Sequence, residues 1–187
     1  MALSGGNKLL AAVPVIFALT LIMVSHQTYR ESLNDLGFRL DNFLSTCRLL
    51  LLPTILVVVG VLIVGWMLRG DQPAASLFRS RLLFVPFWAL FQQWVLQGYV
   101  NRRAQVAFGS GWPSVTAVGI LFSLVHFPNL VLCFLTLIGG LIWAYVYQRK
   151  PNLFALAISH AVASTAVAVS VPLSVINGLR VGFKYFG

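Results

Sequence analysis

The sequence predicts an all-α fold, a polytopic bundle of about six transmembrane spans plus an interfacial amphipathic helix. Three observations carry that expectation. The chain is 59% hydrophobic and only 9% charged, where soluble domains carry roughly 25% charged residues. Its mean hydropathy is +0.88. Its apolar residues also gather into runs close to the ~20 residues needed to cross a bilayer, divided by short polar or Pro/Gly-containing breaks. At 187 residues, the chain is read as a single transmembrane domain, 1–187, with no sizeable soluble domain beside it.

The first run, Leu9 to Val24, follows Lys8 and ends at "SHQTYR". No small-residue cleavage site follows it, so it is read as a retained helix and not a signal peptide. In residues 26 to 43, Leu33, Leu36 and Leu40 recur at helical spacing among mixed charges, which predicts the interfacial amphipathic helix. Residues 46 to 68 form the second span, ending in "MLRG", and "DQPAAS" makes the turn after it. The third helix runs from near Leu82 to about Arg103, where "GSGWPS" breaks the chain and sets Pro113 in a first helical turn. The fourth span starts near Val115 and stops at Pro128. The fifth covers Leu130 to Tyr147 and the sixth Leu153 to about Val171. The basic tail "INGLRVGFKYFG" is too short to span.

Thirteen Lys and Arg against four Asp and Glu give a net charge of +9. The basic residues sit between apolar runs, as contacts with anionic headgroups require. No basic helix interleaved with aromatics is present, so no nucleic-acid partner is expected. Divided between the two membrane sides, the basic residues fall six against seven, and the positive-inside rule assigns no orientation. Glu31, Asp35, Asp41 and Asp71 are all the acids there are. A mechanism that needs a carboxylate on a later helix is thereby excluded. Cys47 and Cys133 have no metal-like spacing and are read as free thiols. Neither a metal nor a cofactor is expected.

The third helix carries "FQQWVLQGYVNRR", with Gln92, Gln93 and Gln97 at membrane depth. Gln93, Gln97 and Asn101 are spaced i, i+4, i+8 and share one face. A bare amide in hydrocarbon costs several kcal/mol, so this stripe should face the bundle interior. It can serve as helix–helix glue or line a site. His126 near the end of the fourth span and His160 within the sixth are intramembrane ionisable groups, which mark functional sites by default. Ser164 lies one turn after His160, with Ser159 and Thr165 nearby.

Taken in order, "QQWVLQGY", "FSLVH" and "HAVAS" resemble the three motifs of the CAAX-protease and bacteriocin-processing family of intramembrane endopeptidases. Those motifs are Glu-Glu-x-x-x-Arg, Phe-x-x-x-His, and His-x-x-x-Asn or Asp. "ESLNDLGFRL" resembles the family's segment ahead of the second span, so the likeness covers about residues 31–170. The resemblance implies a multi-pass protein of a bacterial inner membrane that hydrolyses a peptide bond in a membrane-associated or lipid-modified partner. Lipid and a membrane-embedded peptide or protein are the implied partners. In the family the first glutamate is the general base, helped by the histidine of the second motif, and the last histidine with its Asn or Asp stabilises the oxyanion. By position, the two glutamates fall on Gln92 and Gln93, the arginine on Gln97, the histidines on His126 and His160, and the Asn on Ser164.

Both histidines persist, and the charged groups of the first motif do not. An amide cannot take a proton at neutral pH, and general-base catalysis is worth about 10²–10⁴-fold. The inherited reaction is therefore expected to be weak or lost unless His126 takes over as base. Two other readings are a non-catalytic peptide binder on the same scaffold and, from another class, a bundle in which His126 and His160 ligate a haem. Scarce intramembrane charge weighs against a proton- or cation-coupled transporter.

Overall fold

The computed structural model describes residues 6–68 and 84–186, with side chains from residue 12 onward. Asp71, the turn around it and the expected start of the third helix at Leu82 lie outside the described residues. Those that are described form helices and turns, with no strand among them. The order is α1 (Gly6–Thr28), α2 (Phe43–Leu68), α3 (Val85–Gln93), a π-helical stretch (Trp94–Asn101), α4 (Arg102–Phe108), α5 (Trp112–Leu124), α6 (Leu130–Arg149) and α7 (Leu153–Ser170). Two 3₁₀ turns, Asn177–Leu179 and Gly182–Tyr185, follow.

Among the described residues, three helices, α2, α6 and α7, are long and apolar enough to cross a membrane, and Ala12–Thr28 within α1 and Trp112–Leu124 (α5) are further apolar helical stretches. The protein is an integral membrane protein with a helical bundle fold. Only 17% of the most apolar window of α2 is buried, against 56% for α7, so α2 lies at the lipid-facing rim and α7 in the centre. Pro14 and Pro53 sit inside α1 and α2, a position that membrane helices tolerate.

Small residues set the closest helix crossings. A Cβ on Gly65 of α2 would stand 2.3 Å from the Ser170 carbonyl oxygen of α7, and one on Gly140 of α6 would stand 3.0 Å from Gly119 Cα of α5. Without a hydrophobic drive between helices in lipid, such approaches supply the dispersion contact that holds the bundle. Asparagines cap the two later helices: Asn129 Oδ1 accepts from Leu132 N and Asn152 Oδ1 from Ala155 N.

The expected amphipathic helix at 26–43 is not formed. Residues 26–28 complete α1, and 29–42 run as turns and irregular chain. Of the three leucines, only Leu36 is buried, while Leu33 and Leu40 are exposed. Local hydrogen bonds win over the helix here. Asp35 accepts from both the backbone and hydroxyl of Ser32, a turn that side chains of this type favour, and Gly37 adopts φ 95°, where a helix cannot continue. The loop is then pinned to the start of α7. Leu153 N donates to Gly37 O at 2.8 Å, and Asn152 Nδ2 donates to Arg39 O and to Asn42 Oδ1, each at 2.7 Å. Tyr147 Oη donates to Leu36 O at 3.0 Å.

Three contacts fix which helix ends share a membrane face. Asn42 Nδ2 donates to Pro151 O at 3.1 Å, Gly111 N donates to Gln148 Oε1 at 2.8 Å, and Arg102 Nη1 donates to Asp35 O at 2.9 Å. The start of α2, the end of α6, the start of α5 and α4 therefore lie at one level.

Candidate functional site

From that level a line of polar side chains descends into the bundle. Gln148 Nε2 donates to Asn101 Oδ1 and to Ser114 Oγ, each at 2.9 Å. Asn101 Nδ2 donates in turn to Gln97 Oε1 at 2.7 Å and to the Ala144 carbonyl at 3.2 Å. One turn deeper, the Gln93 amide nitrogen lies 3.3 Å from His160 Nδ1. Gln93, Gln97 and Asn101 each have 0% of their surface exposed, so the stripe faces inward as its polarity demands. The π-helical stretch carries Gln97 and Asn101 and begins directly after Gln93. Gly98 belongs to it: a Cβ there would stand 3.1 Å from the Trp94 ring. Such i→i+5 turns are rare and cluster at functional sites.

The two histidines are held in complementary states. Nδ1 of His126 lies 2.7 Å from the Phe122 carbonyl; a carbonyl only accepts, so Nδ1 carries the proton and Nε2 keeps a free lone pair. At His160 the Gln93 amide nitrogen donates, so Nδ1 accepts and Nε2 carries the proton. Phe122 stands edge-on to both rings, with centroids 5.0 Å from His126 and 5.8 Å from His160. Trp143 lies over His160 at 4.4 Å, and its indole N–H donates to Ser159 Oγ at 3.0 Å. Thr54 Oγ1 of α2 is 2.7 Å from the same hydroxyl. Among the described residues, the Phe122 and Trp143 rings pack directly against the His160 imidazole. The described residues hold no group of three or more His, Cys, Asp or Glu that could ligate a metal.

Of the expected site residues, Gln93 and His160 meet directly and His126 joins them across Phe122. Gln97 is tied to Asn101 instead. The side chains of Gln92 and Ser164 are half-buried and make no hydrogen bond with the described residues, so Ser164 is not paired with His160 in this state. Two amide atoms in the stripe, Gln93 Oε1 and Gln97 Nε2, are buried without any hydrogen-bond partner.

A second polar cluster escaped the sequence reading. Glu31, from the loop after α1, has a side chain 5% exposed and is enclosed by three cationic or donor groups. Oε1 accepts from Arg102 Nε at 2.6 Å, and Oε2 accepts from Arg103 Nη2 at 2.5 Å and from His26 Nδ1 at 2.6 Å. Burial alone would raise the Glu31 pKa, but the hydrogen bonds from His26 and Arg102 and the nearby Arg102 and Arg103 charges outweigh it and hold the carboxyl below its ordinary value. The Arg103 guanidinium also lies 3.8 Å from the Tyr29 ring centroid. A signal existed in the sequence. With four acids in the whole chain, a glutamate just past one apolar run and an arginine pair at the end of another are natural partners, yet the arginines read only as a helix boundary.

No curated protein and no solved structure matches this chain. Residues 74–166, 93 of the 187, match the family model described as type II CAAX prenyl endopeptidase Rce1-like. That stretch holds the amide stripe, both histidines and the helices that carry them. Over it, the chain is similar to the Rce1-like family of type II CAAX prenyl endopeptidases.

Proposed function

We propose that this protein keeps the endopeptidase scaffold to bind a membrane-associated peptide, while hydrolysis is weak or lost because the base and its charge partners are amides. The observation that carries this reading is the unpaired state of Gln93 Oε1 and Gln97 Nε2. Leaving a buried donor or acceptor unmade costs about 1–3 kcal/mol each. One is an acceptor and the other a donor, the complement of a peptide N–H and C=O. Gln92 and Gln93 cannot activate water at neutral pH. Among the described residues, Glu31 is the carboxylate that bonds to this helix system, and it is already engaged by Arg102, Arg103 and His26.

A residual hydrolase is the second reading, favoured by one observation: His126 presents an unprotonated Nε2 while His160 presents an N–H. In that version His126 takes the proton of the attacking water and His160 donates to the oxyanion. A bacterial inner membrane is the proposed location for either version.

Both versions are tested by presenting membrane-embedded and prenylated peptides to the purified protein, to His126→Ala and to the triple variant Gln92→Glu, Gln93→Glu, Gln97→Arg. The peptide-binding reading expects photo-crosslinking of a peptide without turnover in the wild type, and turnover gained by at least ~10²-fold in the triple variant, the lower bound for a restored general base. Wild-type cleavage that His126→Ala abolishes supports the residual hydrolase. Neither crosslinking nor cleavage in any form would overturn both.

A further inference from the structure

On the outer side of the bundle, away from the amide stripe, a groove of about 250 Å³ runs between α2, α5 and α6. Its floor is Pro53, Leu141, Ile142 and Val146, and Leu49 forms one wall. At its mouth the Trp112 ring stacks on Tyr145, centroids 5.6 Å apart and planes 24° from parallel. The Arg149 guanidinium covers the Tyr145 ring at 4.1 Å.

The depth of each residue follows from contacts already described. Asn42 meets Pro151 and Gly111 meets Gln148, so Trp112, Tyr145 and Arg149 share the headgroup level. Trp and Tyr belong there because one edge of each ring is apolar and the other polar. From Arg149 to Leu141 the helix descends eight residues, about 12 Å at 1.5 Å each. That is close to half of the ~30 Å hydrocarbon core, the depth of one leaflet.

Charge decides what occupies the groove. Arg149 is exposed and has no carboxylate partner among the described residues: their carboxylates pair at Glu31 with His26, Arg102 and Arg103, and at Asp41 with Arg39. Asp35 accepts from Ser32 instead. Lys150 follows Arg149, and the exposed Arg48 precedes the groove residue Leu49. Cations gathered at the headgroup end of a one-leaflet apolar channel match an amphiphile with an anionic head and an aliphatic tail. We propose that this groove is a binding site for an anionic glycerophospholipid, one acyl chain lying along Leu141, Ile142 and Val146 and the phosphate on the Arg149 guanidinium. This site is separate from the amide stripe, and neither the family match nor the proposed peptide binding requires it.

The experiment uses Trp112 as reporter. The full-length protein in phosphatidylcholine–detergent micelles is titrated with phosphatidylglycerol carrying brominated acyl chains, and with brominated phosphatidylcholine as the neutral comparison. Saturable quenching by the anionic lipid is expected, absent from Trp112→Phe. Arg149→Gln is expected to weaken the apparent affinity for phosphatidylglycerol about fivefold, the value of one basic residue near an anionic surface, and to leave quenching by phosphatidylcholine unchanged. Ile142→Phe, which fills the groove from a half-buried position without adding a tryptophan, should abolish the saturable component while its thermal unfolding remains cooperative. Equal quenching by both lipids, indifference to Arg149→Gln, or saturable binding that survives Ile142→Phe would overturn the proposal. So would full competition by inorganic phosphate, which would reveal an anion site with no use for the chain.

Discussion

A carboxylate with 5% of its side chain exposed would be driven toward its neutral form by desolvation alone. Glu31 stays ionised because His26, Arg102 and Arg103 converge on its two oxygens. Removing it leaves two guanidinium groups partly buried without a counter-charge. Breaking such clusters costs about 3–5 kcal/mol in full burial, and the partial exposure of Arg102 and Arg103 lowers the expectation for Glu31→Ala to about 2–4 kcal/mol of stability. The pH dependence has a definite sign. The folded-state pKa is depressed below the reference value of 4.5, so the stabilisation is fully present above that value and drains away as pH falls through the lower, folded value. Thermal unfolding followed in detergent should be insensitive to this group from neutral pH down to about 4.5 and fall below it. Glu31→Gln should flatten that acid limb, and an unchanged limb in the variant would mean that the carboxylate is not what the cluster is built around.

Among the elements, the apolar helices were the part most open to sequence reading, since hydropathy and helix breakers place them within a few residues. The second run expected at 46–68 is α2 at Phe43–Leu68, and the fifth expected at Leu130 to Tyr147 is α6 at Leu130–Arg149. What hydropathy does not carry is backbone detail. The third helix reads as one uninterrupted span, but an i→i+5 stretch occupies Trp94–Asn101, and no propensity scale distinguishes π from α turns. The leucine spacing of 33, 36 and 40 likewise misled. It describes a face only if the backbone is helical, and the Ser32–Asp35 turn and Gly37 had already diverted it. At the candidate site the inward direction of Gln93, Gln97 and Asn101 was legible from their polarity. Which donor meets which acceptor was not, because that depends on interhelical register. Register is set by the glycine crossings, and it can be tested there. Gly65→Ala would press a methyl into the Ser170 backbone, which cannot rotate aside, whereas Gly60, with nothing within 4 Å of a Cβ, has open space. Overpacking costs about 1–3 kcal/mol. Gly65→Ala should therefore lower the unfolding temperature, while Gly60→Ala, which favours helix, should leave it unchanged or slightly raised.

For the whole molecule, two irregular segments are fastened to the bundle by asparagines that also cap helices, so each couples a loop to a span. Asn152 caps α7 and holds the 29–42 loop through Arg39 and Asn42. Asn129 caps α6 and holds the tail through the Ile176 and Arg180 carbonyls at 2.7 and 3.2 Å. Gly182 N adds a bond to Phe127 O at 2.9 Å, which lays the tail beside His126. The two attachments guard different ends of the polar line: the first keeps Glu31 in reach of Arg102, and the second borders the histidine whose Nε2 is free. Substitution should separate them. A lost cap costs about 1 kcal/mol and each lost buried hydrogen bond about 1 kcal/mol more, so Asn152→Ala and Asn129→Ala should each destabilise by about 2–3 kcal/mol. The local consequences should differ. In Asn152→Ala, faster amide exchange is expected across residues 29–42 with the tail unchanged. In Asn129→Ala it is expected across 172–186, together with faster carbethoxylation of His126 by diethylpyrocarbonate. If His126 reacts at the wild-type rate in Asn129→Ala while the tail exchanges freely, the tail does not limit access to that histidine, and the approach to its Nε2 must lie between the helices.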